Sequence, residues 1–267
     1  MVVNKINYIS LMFGLLISGY SFSQQKELKE SMALIKSGTF VPLYSLDSVK
    51  TKVEAFYLDK YPVSNKDFLA FVRNNPTWQK GKIKSIYADK NYLSQWQGAT
   101  FIGNDSVYLF NSPVVNVSWF AAKKYCECQG KRLPTVSEWE LAGLASETKT
   151  DASKDKAFYQ KILNWYSKPT PAKLPNVGQG FKNVYGVYDL HGLIWEWTLD
   201  FNSALTSGES RSDGSLNKSE FCGAGVTNIK NLKNYAAFMR NAMRASLKAN
   251  YTTTNLGFRC AKSIKKN

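Results

Sequence analysis

Asp189, His191 and Glu196 lie close together in "NVYGVYDLHGLIWEW" (183–197), and these are side chains that bind metals or move protons. His191 is the only histidine of the chain. An imidazole between carboxylates can act as a base or a ligand. Asp189 and Glu196 flank Gly192, so the segment could fold back and turn both carboxylates and some carbonyls onto one point. Calcium accepts such mixed oxygens in irregular geometry, whereas magnesium demands a more regular shell. On spacing alone a solvated carboxylate pair is the simpler reading, and an ordinary core turn is a third.

Other chemistries are excluded more firmly. One histidine rules out zinc or iron centres built on two or three imidazoles. No Gly-x-Ser-x-Gly elbow accompanies His191, and neither a phosphate loop nor a dinucleotide fingerprint is present. Four cysteines remain: Cys126, Cys128, Cys222 and Cys260. An even set suits disulfides in an oxidising compartment and allows three full pairings, although Cys126 and Cys128 cannot bridge each other on a helix without distortion. Copper held by Cys126, Cys128 and a nearby methionine is the alternative use.

The compartment is read from the N-terminus. Lys5, the short apolar run "INYISLMFGLLISGY" and the small residues Ser21 and Ser23 make residues 1–23 a signal peptide cut before Gln24. No cysteine follows the run, so a lipid anchor is not indicated. No later run is long and apolar enough to span a bilayer. The mature chain (24–267) is therefore expected to be a single exported domain, periplasmic or secreted, with no membrane association after cleavage. Its formal charge of +15 comes from scattered lysines without a nucleic-acid motif. It reads as a solvated basic surface or as attraction to an acidic partner, and no nucleic acid is expected.

The elements that would position these residues are short. "MALIKSGTFVPLYSL" reads as two strands broken at Ser37-Gly38, and a strand through Phe56, Tyr57 and Leu58 runs to Pro62. Ser64 caps a helix with Phe68, Leu69, Phe71 and Val72 on its apolar face, stopped by Pro76. A short strand leads to Ser118, which caps a helix from Trp119 to about Gln129, ended by Gly130. Thr135 and Glu138 form a capping box for a helix with Trp139 and Leu141 inward. Lys131 and Arg132, in the turn between, are expected to pair with carboxylates. Residues 146–160 read as a polar insertion, and short β segments between long loops are expected after 183. The class is loop-rich α+β.

Four segments, "FYLDKYPVSNKDFLAFV", "PVVNVSWFAAKKYCECQGKRLPTVSEWELAG", "NVYGVYDLHGLIWEW" and "NLGFRCA", occur in an order and spacing that resembles the formylglycine-generating enzyme, or sulfatase-modifying factor, family. The resemblance spans about residues 32–262. It implies one large α+β domain related to the C-type lectin fold. It further implies a structural calcium held by the side chains of Asp189 and Glu196 and the carbonyls of Gly192 and Ile194, which leaves His191 a bystander pointing out of the turn. A second calcium of some members would need Asn164 and an aspartate that this chain lacks.

The resemblance also pairs Cys126 with Cys260, leaving Cys128 and Cys222. It matches Arg240 and Arg244 to family arginines and puts the family's two copper-binding thiols at Asn231 and Ala236, where none exists. Copper(I) needs thiolates, so formylglycine formation by the family's route is not expected. A three-histidine iron branch is excluded too. The segment "FVRNNPTWQKGKIKSIYADKNYLSQW" also resembles accessory proteins of nitrite reductase, which implies a binding or accessory protein for an exported metalloenzyme of that kind. Its recognition surface is expected near residues 222–254, at Cys222, Arg240 and Arg244, where the two arginines either hold an anionic group or pair with core carboxylates. The alternative is a copper-dependent oxidase with an atypical site at Cys222, completed by Cys128 or a methionine.

Overall fold

The two ends of the domain meet in one sheet. The computed structural model describes residues 30–43, 50–104, 106–202 and 232–264. Strand β1 (Met32–Ile35) pairs antiparallel with β4 (Phe56–Asp59), and β4 pairs antiparallel with β7 (Ala261–Ser263). Alternation sets which face is buried: Ala33, Ile35, Phe56 and Leu58 are buried while Leu34 is exposed. Between them, β2 (Gly38–Phe40) and β3 (Thr51–Val53) form a second antiparallel pair. Much later, β5 (Trp195–Glu196) lies parallel to β6 (Leu256–Gly257).

The helices begin where side chains can satisfy their first N–H groups. Helix α1 (Asn65–Asn74) is capped by Ser64, which accepts from Asp67 N at 3.2 Å, and it buries Phe68, Leu69, Phe71 and Val72. A 3-10 turn (Pro76–Trp78) follows it, and a short helix α2 (Ser106–Phe110) comes later. Helix α3 (Trp119–Cys128) is capped by Ser118 through Ala121 N at 3.2 Å, and Gly130 follows its end at φ +63°. Helix α4 (Val136–Gly143) carries the full Thr135–Glu138 capping box, with Trp139 and Leu141 buried.

Two helices were not legible as such. Helix α5 (Lys156–Tyr166) grows out of the segment read as a polar insertion, capped by Asp155 through Phe158 N at 3.1 Å. Helix α6 (Leu232–Ala245) occupies part of the stretch expected to be short strands and loops. Phe158, Tyr159 and Ile162 of α5 form a buried cluster with Ala236 of α6. The expected strand before Ser118 is also absent: among residues 113–117 only an isolated bridge, Ser64 to Pro113, is formed.

The main core gathers Phe68, Trp96, Tyr125, Trp197 and Phe258 around the Cys126–Cys260 disulfide, which closes a separation of 134 residues. Buried indoles keep their hydrogen bonds: Trp96 donates to Asn65 Oδ1 at 2.7 Å and Trp197 to the Val117 carbonyl at 2.9 Å. Gly257 lets β6 reach the core, since a Cβ there would sit 2.3 Å from the Val114 carbonyl oxygen. Lys131 pairs with Asp59 at 2.7 Å, and Arg132 forks onto Glu138 at 2.6 and 2.7 Å, as the sequence led us to expect.

Candidate functional site

The turn from 183 to 197 is held on three sides. Asp189 adopts φ +60° and its carboxylate accepts from Gly178 N at 2.5 Å and Gly180 N at 3.0 Å. Gly192 follows at φ +106° and is exposed. The chain then enters β5, where Trp195 and Glu196 sit beside Leu256 and Gly257. Burial raises the Asp189 pKa from its ordinary value and the Glu196 charge adds to this, while the N–H groups of Gly178 and Gly180 and the charge of Arg259 oppose it.

Glu196 is fixed from the far end of the chain. Arg259 donates Nε to both of its oxygens at 3.0 and 2.9 Å and Nη2 to Oε1 at 2.7 Å, and both side chains are fully buried. The remaining N–H groups of Arg259 reach the carbonyls of Asp59, Lys60 and Tyr188 at 3.1, 3.2 and 2.8 Å. Every donor of the guanidinium thus has an acceptor. Glu196 Oε2 also accepts from Trp139 Nε1 at 2.9 Å.

Trp139 joins this pair to a second one. The guanidiniums of Arg240 and Arg244 lie 5.7 and 5.2 Å from the centroid of its ring. Both arginines converge on Glu140: Arg240 through Nε and Nη2 at 2.9 and 2.7 Å, Arg244 through Nη1 at 2.6 Å. Arg240 also donates to the Tyr166 hydroxyl at 3.2 Å. Burial alone would raise the Glu140 pKa, but the two guanidiniums hold it down at about 2. Arg240 and Arg244 are only 5% and 6% exposed. Of the two expected uses, holding an anionic group or pairing with a core carboxylate, they make the second: they are buried against Glu140 because a desolvated guanidinium needs a carboxylate partner. Cys222, the third residue expected on that surface, lies outside the described residues, as does Asn231.

His191 does not point out of the turn. It is 5% exposed, its Nε2 lies 2.9 Å from the Gly143 carbonyl, and its ring meets Trp139 and Phe158 edge-on at 5.4 and 5.8 Å. Burial, then the charge of Arg240, push its pKa down to about 4. The reason is the companion helix α5, unforeseen in the sequence, which supplies Phe158. His191 Nδ1 is buried without a hydrogen-bond partner.

A cation in this turn would have two carboxylates and main-chain oxygens to use, because no group of three or more His, Cys, Asp or Glu gathers among the described residues. These are hard oxygen donors. Arg259 spends its hydrogen bonds on Glu196 and on main-chain carbonyls and gives none to Asp189, whose carboxylate is held by Gly178 N and Gly180 N. No hydrogen bond from a described residue reaches the carbonyls of Gly192 or Ile194. Asn164 is exposed on α5 and accepts from Gln160 at 2.9 Å.

The thiol positions read differently. Ala236 is fully buried in the α5–α6 cluster. Cys128 is exposed at the end of α3, with its sulfur 4.0 Å from Asn75 Oδ1. The sequence reading assigned no role to Glu140 or Arg259. Nothing local in "NLGFRCA" signals the burial of Arg259, because neighbouring side chains of an extended segment point to opposite faces.

Known proteins are similar to this chain over most of its length. The mouse (Mus musculus) formylglycine-generating enzyme is 30% identical over 252 residues, covering 79% of this chain and 67% of that protein. The bovine (Bos taurus) inactive C-alpha-formylglycine-generating enzyme 2 is 28% identical over 247 residues, covering 78% and 77%. Among solved structures, PvdO from Pseudomonas aeruginosa aligns over 87% of this chain and 94% of its own, with a TM-score of 0.43 and 16% identity. The sulfatase-modifying factor enzyme 1-like domain family matches residues 18–264. The chain belongs to that family, folded as a single α+β domain of the formylglycine-generating type.

Proposed function

We propose that this chain is an exported member of the family that does not generate formylglycine and acts as a binding or accessory protein for an exported metalloenzyme, such as a nitrite reductase. The observation that carries the reading is Ala236. At the position where the resemblance puts one of the two copper-binding thiols, a methyl group is sealed between Phe158, Tyr159 and Ile162. Copper(I) cannot be held there without a soft ligand. Arg240 and Arg244, the matched arginines, are spent on Glu140.

Relatives named as formylglycine-generating enzymes and as an inactive form match this chain to similar degrees. The names therefore do not decide activity, and the residues must. The turn at Asp189, Gly192, Ile194 and Glu196 would hold a structural calcium, which would supply positive charge beside the buried Asp189, to which Arg259 gives no hydrogen bond. The chain's own residues stiffen the same turn through Arg259 and Trp139.

The test is direct. Reduced protein incubated with copper, oxygen and a sulfatase-derived cysteine peptide should leave the peptide unchanged by mass spectrometry, and aldehyde formation would overturn the reading. For the accessory role, deleting the chain from its host should lower the activity of the exported reductase. Unchanged activity removes that partner.

A further inference from the structure

The most exposed large hydrophobic side chain among the described residues is Ile86, at 68%. It sits at the tip of a turn in which Tyr87 N and Ala88 N both donate to the Lys84 carbonyl, at 2.9 and 3.3 Å. Tyr87, beside it, is 41% exposed. The turn is firmly seated. Ala88 and Tyr92 are buried, and Tyr92 donates its hydroxyl to the Trp78 carbonyl at 2.9 Å. The Tyr87 ring contacts Trp78 at 5.8 Å and Phe120 at 5.4 Å, and Phe120 contacts Trp119 at 5.4 Å.

Charge follows the same turn. Lys82, Lys84 and Lys90 are all exposed. The carboxylate within the segment, Asp89, is directed away by its own bonds to Asn91 N at 2.9 Å and to Thr252 N at 3.0 Å. An aliphatic tip, a tyrosine at its shoulder and a ring of lysines thus stand together on a rigid base.

We propose that this turn docks the protein on an anionic lipid surface. Ile86 would enter the acyl boundary, Tyr87 would sit at the headgroup level, and Lys82, Lys84 and Lys90 would meet the anionic headgroups. A stable protein interface takes roughly 800 Å² from each side, and the exposed apolar side chains of this turn are only Ile86 and Tyr87, set among lysines, which suits an anionic lipid surface better than an apolar protein face. A nucleic-acid site would leave Ile86 without a role, because an aliphatic side chain gives a base nothing to stack on; competition with heparin separates the two. The sequence expectation of no membrane association rested on the lack of a spanning run. A surface contact requires none, and no described helix is long and apolar enough to cross a membrane.

The experiment is sedimentation of the mature protein with vesicles of phosphatidylcholine alone or with phosphatidylglycerol added. Retention is expected only on the anionic vesicles. Each lysine-to-glutamine change at Lys82, Lys84 or Lys90 should weaken it about fivefold at low salt. Ile86→Ser should weaken it as well, with little change in thermal midpoint because that side chain is mostly exposed. No retention on anionic vesicles overturns the proposal. So does retention that is indifferent to Ile86→Ser and Tyr87→Ser but is abolished by heparin, because that pattern describes a polyanion site without a lipid contact.

Discussion

Arg259, next to the last cysteine, lays its guanidinium on both carboxylate oxygens of Glu196, 63 residues earlier, with neither side chain exposed. The pair welds the 183–197 turn to the C-terminal strand, and Trp139 extends it to α4. Breaking one partner of a buried pair leaves an uncompensated charge, which costs about 3–5 kcal/mol. Glu196→Gln and Arg259→Met should each lower the unfolding free energy measured in urea by that much. The double variant should lose less than the sum. Additive losses would show that the two charges are not coupled.

The Cys126–Cys260 disulfide ties α3 to the segment before β7 across 134 residues. In the chain-entropy view such a closure contributes about 4–5 kcal/mol, less any strain. Cys126→Ser or Cys260→Ser should therefore cause a large loss of thermal stability, whereas Cys128→Ser, at an exposed position, should cause none. Equal midpoints for the first two variants and the parent would contradict this.

Acidification should act in two steps. His191 has a folded value of about 4 against an ordinary 6.5, so the unfolded chain takes up a proton first and stability falls as pH drops from about 6.5 to 4. The loss is on the order of 3 kcal/mol. Glu140, held near 2 from 4.5 by Arg240 and Arg244, keeps its charge in the fold, so its contribution is present above 4.5 and is lost as pH falls toward 2. His191→Gln should flatten the upper step and spare the lower one. Denaturant midpoints measured across this range decide it.

Calcium has an independent readout. With Arg259 bonded to Glu196 and Asp189 held only by the N–H groups of Gly178 and Gly180, a chelator should lower the thermal midpoint of the parent protein if calcium sits beside Asp189. Asp189→Ala should remove that sensitivity. A parent indifferent to chelator argues that Arg259 alone balances the turn.

Much of this fold could be read from local grammar. Ser64, Ser118 and the Thr135–Glu138 box mark three helix starts because a cap must satisfy N–H groups within the next three residues. Helix α5 was obscured because its apolar positions, Phe158, Tyr159 and Ile162, sit among lysines and find their partner, Ala236, only across a long separation. The turn was legible as a cluster of acids, but not its counter-ion, since nothing local connects Glu196 to Arg259. His191 was misread for the same reason: its burial depends on Trp139 and Phe158, both distant in the chain. Packing of this kind is a property of tertiary contacts, which periodicity does not encode.

The account stands or falls on the absence of a working thiol pair. Copper(I) titration of the reduced mature protein against a competing chelator, with Cys222→Ser as the control, measures it most directly. We predict no tight stoichiometric binding in either protein. One tightly bound copper per chain, lost in Cys222→Ser, would contradict the account and make the chain a copper oxidase with an atypical site.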